Sequence, residues 1–230
     1  MAISVIIPTL NEETSLPRTL ACLSASGVNE VVIVDGGSTD HTISIAEDFC
    51  TSAPNARFVT APAGRPWQMN AGAKASRGDI LLFLHADTRL PADAQLLIES
   101  VLTDRSLVGG RFDINFDTRS AWGTMISTFM NWRSRLSRIA TGDQAIFVRR
   151  HIFEQLGGFA DIPLMEDIEF SRRLKRTGPT AALHQTVITS FRRWEQQGPL
   201  RTIVLMWTLR FLYWAGVSPS RLSRWYNVVR

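Results

Sequence analysis

Three apolar, β-branched runs each end abruptly in polar groups. Ser4-Val5-Ile6-Ile7-Pro8 passes into Thr9-Leu10-Asn11-Glu12-Glu13, Val31-Val32-Ile33-Val34 into Asp35-Gly36-Gly37-Ser38-Thr39-Asp40, and Leu81-Leu82-Phe83-Leu84 into His85-Ala86-Asp87. Between them lie helical stretches: Leu16, Leu20 and Leu23 at helical spacing, Asp40 to Phe49, and a small-residue segment from Ala71 to Ala75 that follows a strand near Arg57 to Thr60. Strands alternating with helices imply an α/β fold with a mainly parallel central sheet flanked by helices. In such a sheet the polar ends of neighbouring strands gather at the carboxyl edge, where ligands bind. One such run alone carries little weight, because Asp-Gly-Gly-Ser is also ordinary turn chemistry.

Past Pro91 the repeating unit breaks down. Residues 109–116 alternate like a strand, Ser120 to Ile139 reads as an amphipathic helix carrying Trp122, Met125, Phe129, Trp132 and several arginines, and Ala145 to Val148 as a short strand. Arg150 to Leu156 reads as a helix stopped by Gly157-Gly158, and Glu166 to Arg176 as one with acids first and bases last, in accord with the helix dipole. The run from Thr202 to Val217, started by Pro199 and stopped by Gly216, is apolar almost all round apart from Arg210. It is shorter than the roughly 20 residues a helix needs to cross a bilayer, so it is expected to lie on a membrane or on another subunit.

A hydrophobic content of 45% with 20% charged residues is that of a globular chain, divided here into a main domain at 1–197 and a helical tail at 198–230. Cys22 and Cys50 lack metal-ligand spacing and suit a reducing compartment, and no basic leader precedes the first strand, so a cytoplasmic location is expected. From Thr189 to Arg230 there are seven arginines against one acid, Glu195; this +6 on a chain of total +4 leaves −2 for the remainder. The same stretch holds Trp194, Trp207, Trp214 and Trp225, four of the seven tryptophans. A basic, tryptophan-rich end fits peripheral contact with an anionic membrane, at the inner face of the cell membrane, or else a packing or homodimerisation element. No nucleic acid is expected as a partner.

Taken in order with Met165-Glu166-Asp167, which follows Gly157-Gly158-Phe159, the three strand ends resemble the family-2 glycosyltransferases over roughly Ile3 to Arg176. Leu84-His85-Ala86-Asp87 and the compact tail look like a bacterial subgroup of them. The resemblance implies a Rossmann-like nucleotide-diphospho-sugar transferase fold of the GT-A type. It also implies inverting transfer of a single sugar from a nucleotide-diphosphate sugar to an acceptor hydroxyl, with a lipid-linked acceptor among the options. By the family pattern Pro8, Thr9, Glu12 and Asp35 hold the nucleotide, and Arg65 and Asp79 line its pocket. Asp87, joined by His85, binds a divalent metal, Mn²⁺ or Mg²⁺, against the diphosphate, and Asp167 is the general base with Glu166 orienting the acceptor or a loop. Arg192-Arg193-Trp194 resembles an element of processive members whose glutamine is replaced here by Ser190; by it Arg193 pairs with diphosphate and Trp194 stacks on a sugar. Local chemistry offers other uses: Asp35 as cap of its turn, Asp79 as a turn acid, Arg193 and Trp194 as a basic helix start beside a core tryptophan. Two other functions are weighed. A nucleotidyltransferase on a related fold has a glycine-rich loop where this chain has Pro8-Thr9-Leu10-Asn11-Glu12, and a non-catalytic sugar-nucleotide binder has no need of Asp87 and Asp167.

Overall fold

The computed structural model describes residues 1–229. Strands β1 (Ile3–Thr9), β2 (Glu30–Asp35), β3 (Ala56–Thr60) and β4 (Ile80–Phe83) run parallel in the order β3-β2-β1-β4. Every residue of β1 is buried, because helices cover both faces of the sheet, and this is why its apolar run is continuous instead of alternating. Successive side chains still take opposite faces. Val5, Ile7, Ile33 and Leu82 pack with Leu16, Leu20 and Leu23 of α1 (Leu16–Ala25), while Ile6, Val32, Val34, Leu81 and Phe83 pack with Met69 and Ala73 of α3 (Arg65–Ala75). The second layer also holds Phe83, Phe153, Phe159 and Phe170, with ring centroids 4.5–5.7 Å apart. Truncating the fully buried Phe170 to alanine would cost about 3–5 kcal/mol.

Helix α2 (Thr42–Ser52) follows β2. Helix α3 starts at Arg65, one and a half turns before the small-residue segment that marks it in the sequence, with Gly64 (φ 135°) at its cap and Pro66 in its first turn. Gly72 sets its height over the sheet: a Cβ there would stand 2.4 Å from Cγ2 of Ile6. Only glycine lets the helix backbone come this close to β1.

After β4 comes β5 (Thr88–Arg89), then α4 (Ala94–Val101), β6 (Gly109–Phe116), α5 (Ala121–Ser137), β7 (Ile146–Arg149), α6 (Arg150–Gln155) and α7 (Glu166–Thr177). A further strand, β8 (Thr180–Thr189), completes one sheet of order β3-β2-β1-β4-β7-β6-β8-β5, antiparallel at β4·β7, β7·β6 and β8·β5. The middle of β8, His184-Gln185-Thr186, is exposed and polar, so the strand carries no apolar run. It pairs with β6 in parallel across a register shift between Arg111 and Asp113.

Helix α8 (Arg192–Gln197) precedes the tail, whose described residues form two helices, α9 (Pro199–Trp214) and α10 (Pro219–Val229), where the sequence marks one long helix. Gly216 at φ 92° makes the turn between the last two. Leu209 and Leu222 are buried against Met165 and Ile168, so the tail packs directly beside Glu166 and Asp167. Arg172 adds a cation–π contact to Tyr213 at 5.2 Å. Among the described residues no helix is long and apolar enough to cross a membrane. Cys22 and Cys50 are free and only half-buried.

Candidate active site

The parallel strands bring their polar ends together. Thr9 and Asp35 are register partners at the last rung of β1 and β2. Asp35 is 1% exposed and caps its own turn: Oδ2 accepts from the amides of Gly37 (2.7 Å) and Ser38 (2.9 Å), and Oδ1 from the hydroxyls of Ser38 and Thr9. Its carboxylate therefore shapes the loop that follows β2. Asn11, at φ 55°, laces this loop to the one after β1 by donating its amide to Ser38 and accepting from that of Thr39. Buried Gln68 ties the two strand ends from behind, its Nε2 donating to the carbonyls of Thr9 (2.6 Å) and Val34 (2.9 Å). A polar residue on the sheet-facing side of a small-residue helix is its only sequence signal.

Beyond these ends opens a cavity of about 660 Å³. One wall is charged, with Glu12, Arg65, His85, Asp87, Arg133, Asp143, Arg192 and Arg193; the other is apolar, with Phe116, Ile126, Phe129, Met130, Ile203, Met206 and Trp207. Burial first, and then the charge of Asp87, push the Glu12 carboxyl above its ordinary range, against the opposing pull of Arg192. Its Oε2 is buried without a hydrogen-bond partner, the nearest cation being Arg192 Nη2 at 4.0 Å. Arg193 is the mirror case: its Nε and Nη2 are buried with no acceptor, and its guanidinium rests on the Tyr226 ring at 4.7 Å. Trp194 also lines the cavity, yet its ring packs on Phe116 and Phe191, as a core tryptophan does.

His85 and Asp143 form the floor. Nδ1–H of His85 donates to Asp143 Oδ1 at 3.1 Å, and the Nε2–Cε1 side of the ring lies on Gly142, where a Cβ would come within 2.4 Å of Nε2. Burial raises the Asp143 carboxyl, but the His85 hydrogen bond and the charges of His85, Arg65 and Arg193 outweigh it and hold the group at about 2. His85, expected from the sequence as a metal ligand, thus has one ring nitrogen bonded to Asp143 and the other beside Gly142 at the cavity wall.

Asp167 lies just under this floor. Its Oδ2 accepts from Gly142 N (2.9 Å) and its Oδ1 from Ile168 N (2.7 Å). Burial, and then the neighbouring Glu166 charge, push its carboxyl up to about 6 despite those two amides. Glu166 turns the other way, with Oε1 3.9 Å from Arg65 Nη1, so it positions Arg65. Both acids follow Met165, which is held at φ 69°. Such a conformation in a non-glycine residue costs about 1–3 kcal/mol and persists only where packing enforces it, here the contacts with Leu209 and Leu222. Burial depresses the basicity of Arg133, which Asp167 and Asp143 partly restore. Sequence reasoning misses both Arg133 and Asp143; Arg133 is detectable as a charge in line with Ile126 and Met130 on the inner stripe of α5, whereas Asp143 sits in a short 3₁₀ turn with no periodic signal.

Asp79 does not join the site. It precedes β4 at the amino edge of the sheet, where Oδ2 accepts from Ala2 N at 3.0 Å, a full strand length from the carboxyl edge. It is a turn acid, and the expected contact with a nucleotide is corrected. Pro8 is buried within β1 beneath the site.

Among the described residues no group of three or more His, Cys, Asp or Glu side chains could by itself hold a metal ion. The pair Glu12 and Asp87 nevertheless fits a hard divalent cation. These are oxygen donors close enough to repel one another, and one carries an unpartnered buried oxygen. Ions such as Mg²⁺ are commonly held by one or two carboxylates with phosphate and water completing the shell.

The chain is 28% identical over 222 residues to the probable glycosyltransferase YdaM of Bacillus subtilis (strain 168), covering 85% of this chain and 50% of that protein. It is 34% identical over 149 residues to the undecaprenyl-phosphate 4-deoxy-4-formamido-L-arabinose transferase of Pseudomonas paraeruginosa (strain DSM 24068 / PA7), covering 60% of this chain and 41% of the relative. The chain thus spans about half the length of the curated relatives it matches. In fold it is similar to S. aureus TarS 1-349, crystallised in complex with UDP-GlcNAc (TM-score 0.68, 20% identity, 83% of this chain and 58% of that one). It is likewise similar to the mannosyltransferase PcManGT of Pyrobaculum calidifontis in complex with GDP-Man and Mn²⁺ (TM-score 0.64, 20% identity, 81% of this chain and 56% of that one). The family description "Glycosyl transferase family 2" matches residues 4–157, more than half of the chain, and the protein belongs to that family.

Proposed function

We propose that the protein transfers a single sugar, with inversion, from a nucleotide-diphosphate sugar to the hydroxyl of an amphiphilic, lipid-linked acceptor at the cytoplasmic face of a membrane, with the tail in peripheral contact. One observation carries the reading: two buried donors of Arg193, Nε and Nη2, and a buried carboxylate oxygen of Glu12, each without a hydrogen-bond partner, belong to residues lining the same cavity. A diphosphate with its cation is the ligand that completes both. The half-apolar lining supports an acceptor with a hydrocarbon portion, and a named relative acts on undecaprenyl phosphate.

In this mechanism the loops after β1 and β2, fixed by Asp35, Asn11 and Gln68, receive the nucleoside, and Arg65, Arg192 and Arg193 face the diphosphate. Glu12 and Asp87 would hold the divalent cation, which when bound offsets charge on the departing diphosphate. The acceptor oxygen attacks the anomeric carbon from the side opposite the diphosphate, the carbon–oxygen bond to phosphate breaks with its electron pair leaving on the diphosphate, and the acceptor proton passes to Asp167. Asp167 suits this task because its carboxyl is raised towards the operating pH, whereas Asp143, held at about 2, is too weak a base. Calorimetry with UDP, GDP and their sugar conjugates, with and without Mn²⁺, tests the reading. Micromolar binding of one of them that strengthens with Mn²⁺ is expected, and binding of none would remove it.

A further inference from the structure

Two helices turn their most apolar residues away from the core. On α5 these are Trp122, Met125, Phe129, Trp132 and Leu136; on α9 they are Leu200, Val204, Trp207, Phe211 and Trp214. Both sets alternate spacings of three and four, the seam that two helices normally bury between them, yet all ten side chains are between 39% and 73% exposed. The stripes meet at their centres, where the Phe129 and Trp207 rings lie 5.5 Å apart. Met125, Phe129 and Trp207 also line the catalytic cavity, so its apolar end opens between the stripes.

Charge identifies what covers this face. Helices α5, α9 and α10 contain no aspartate or glutamate, and they carry or are flanked by exposed arginines: Arg119 and Arg138 at the two ends of α5, Arg201 on α9, Arg221 and Arg224 on α10. A two-fold contact with a second copy would set this basic rim against itself. An anionic phospholipid surface attracts it, because juxtamembrane arginines are drawn to the negative headgroups. Tryptophan at the edge of an apolar patch is the usual anchor at that boundary, and Trp122, Trp132, Trp207 and Trp214 are all exposed on the patch. No described helix can span the bilayer, which leaves α5 and α9 lying in its surface.

We infer that α5 and α9 together form a bilayer-docking face around the mouth of the catalytic cavity, specific for membranes carrying anionic phospholipid. Half of the face belongs to α5, within the part of the chain that matches the family's sheet-and-helix core in fold, so docking orients the cavity itself towards the lipid. The docking stands on the surface alone; only its consequence, entry of a lipid-linked acceptor from the bilayer, rests on the transfer reading above.

Flotation of the full chain with vesicles tests the inference. Binding to phosphatidylglycerol-containing vesicles should exceed that to pure phosphatidylcholine and weaken between about 0.05 and 0.5 M salt. Trp132→Ser with Leu136→Ser changes two exposed α5 residues outside the cavity lining; it should weaken vesicle binding by about tenfold or more, since each side chain loses apolar burial, and leave UDP and GDP affinity within about twofold. Arg201→Gln with Arg221→Gln and Arg224→Gln should remove the preference for anionic vesicles while sparing the fold. Failure of the wild type to float, equal flotation of the Trp132/Leu136 variant, or a dimer in sedimentation that this variant dissolves without changing flotation would each overturn it. Flotation without any nucleotide binding would sink the transfer reading and leave the docking face; nucleotide binding without flotation would do the reverse.

Discussion

Replacing Arg193 by methionine should move apo stability and ligand affinity in opposite directions. Arg193 Nε and Nη2 are buried without acceptors, and an unsatisfied buried donor costs about 1–3 kcal/mol. Against this stand the stacking on Tyr226 at 4.7 Å, worth about 0.5–2 kcal/mol, and the attraction to Asp143. Methionine keeps the stem and most of the contact with the ring while removing the orphan donors. The balance is between neutral and about 2 kcal/mol of gain, which in a chain of this size is a melting temperature unchanged or raised by up to about 8 °C. Affinity for UDP or GDP should fall, because a charge-assisted hydrogen bond to phosphate is worth about 1.5–3 kcal/mol, or roughly 10- to 150-fold. Differential scanning calorimetry without ligand and titration calorimetry with nucleotide measure the two quantities. A melting temperature lowered by several degrees together with unchanged nucleotide affinity would show that Arg193 is a clamp on Tyr226, and the reasoning from unpaired groups would be refuted.

Asp167→Asn should retain donor affinity and lose about 10²- to 10⁴-fold in kcat, and the wild-type rate should rise as pH passes through about 6, where the base ionises, with that limb absent from the variant. Because the folded-state pKa of Asp167 is raised, its contribution to stability is full below about pH 4 and is lost as pH rises through about 6; scanning calorimetry across that window should show a flatter profile in the variant. Asp87→Asn should weaken nucleotide binding in Mn²⁺ at least tenfold and leave metal-free binding unchanged, so equal loss in both conditions counts against Asp87 as a cation ligand. Asp79→Ala should leave nucleotide affinity untouched and alter stability by less than about 1 kcal/mol, since it holds only the amide of Ala2 at the far edge of the sheet.

The parallel half of the fold is legible in the sequence because strands buried on both faces leave continuous apolar runs, and the polar residues that end those runs mark the ligand edge. β8 is not legible: its middle is exposed and polar, and its place is set by pairing with β6, a long-range contact that leaves no local pattern. The start of α3 is hidden by Gly64 and Pro66, which punctuate a loop as readily as they open a helix. At the site, Glu12, Arg65, Asp87 and Arg193, far apart in the sequence, line one cavity, whereas Asp79 belongs to the opposite end of the strand whose carboxyl end points to Asp87. The surroundings of His85 are not legible in the sequence because nothing local reveals that Asp143, far along the chain, comes to meet it. The stripe on α5 misleads in another way: periodicity reports that a helix has an apolar face, but not whether protein or lipid covers it.

The packing of Leu209 and Leu222 on Met165 and Ile168 means that the chain is not modular at Gly198. A protein truncated there would lose more than a surface anchor. It would lack the side chains that hold Met165 in a conformation it does not favour, one residue before Glu166 and two before Asp167. Evolution and engineering face the same restriction. If the docking face proposed above meets a bilayer, the outward residues of α9 are free to drift with the composition of that bilayer, while its inward residues are bound to the site, so one helix is under two kinds of selection along two faces of a single cylinder.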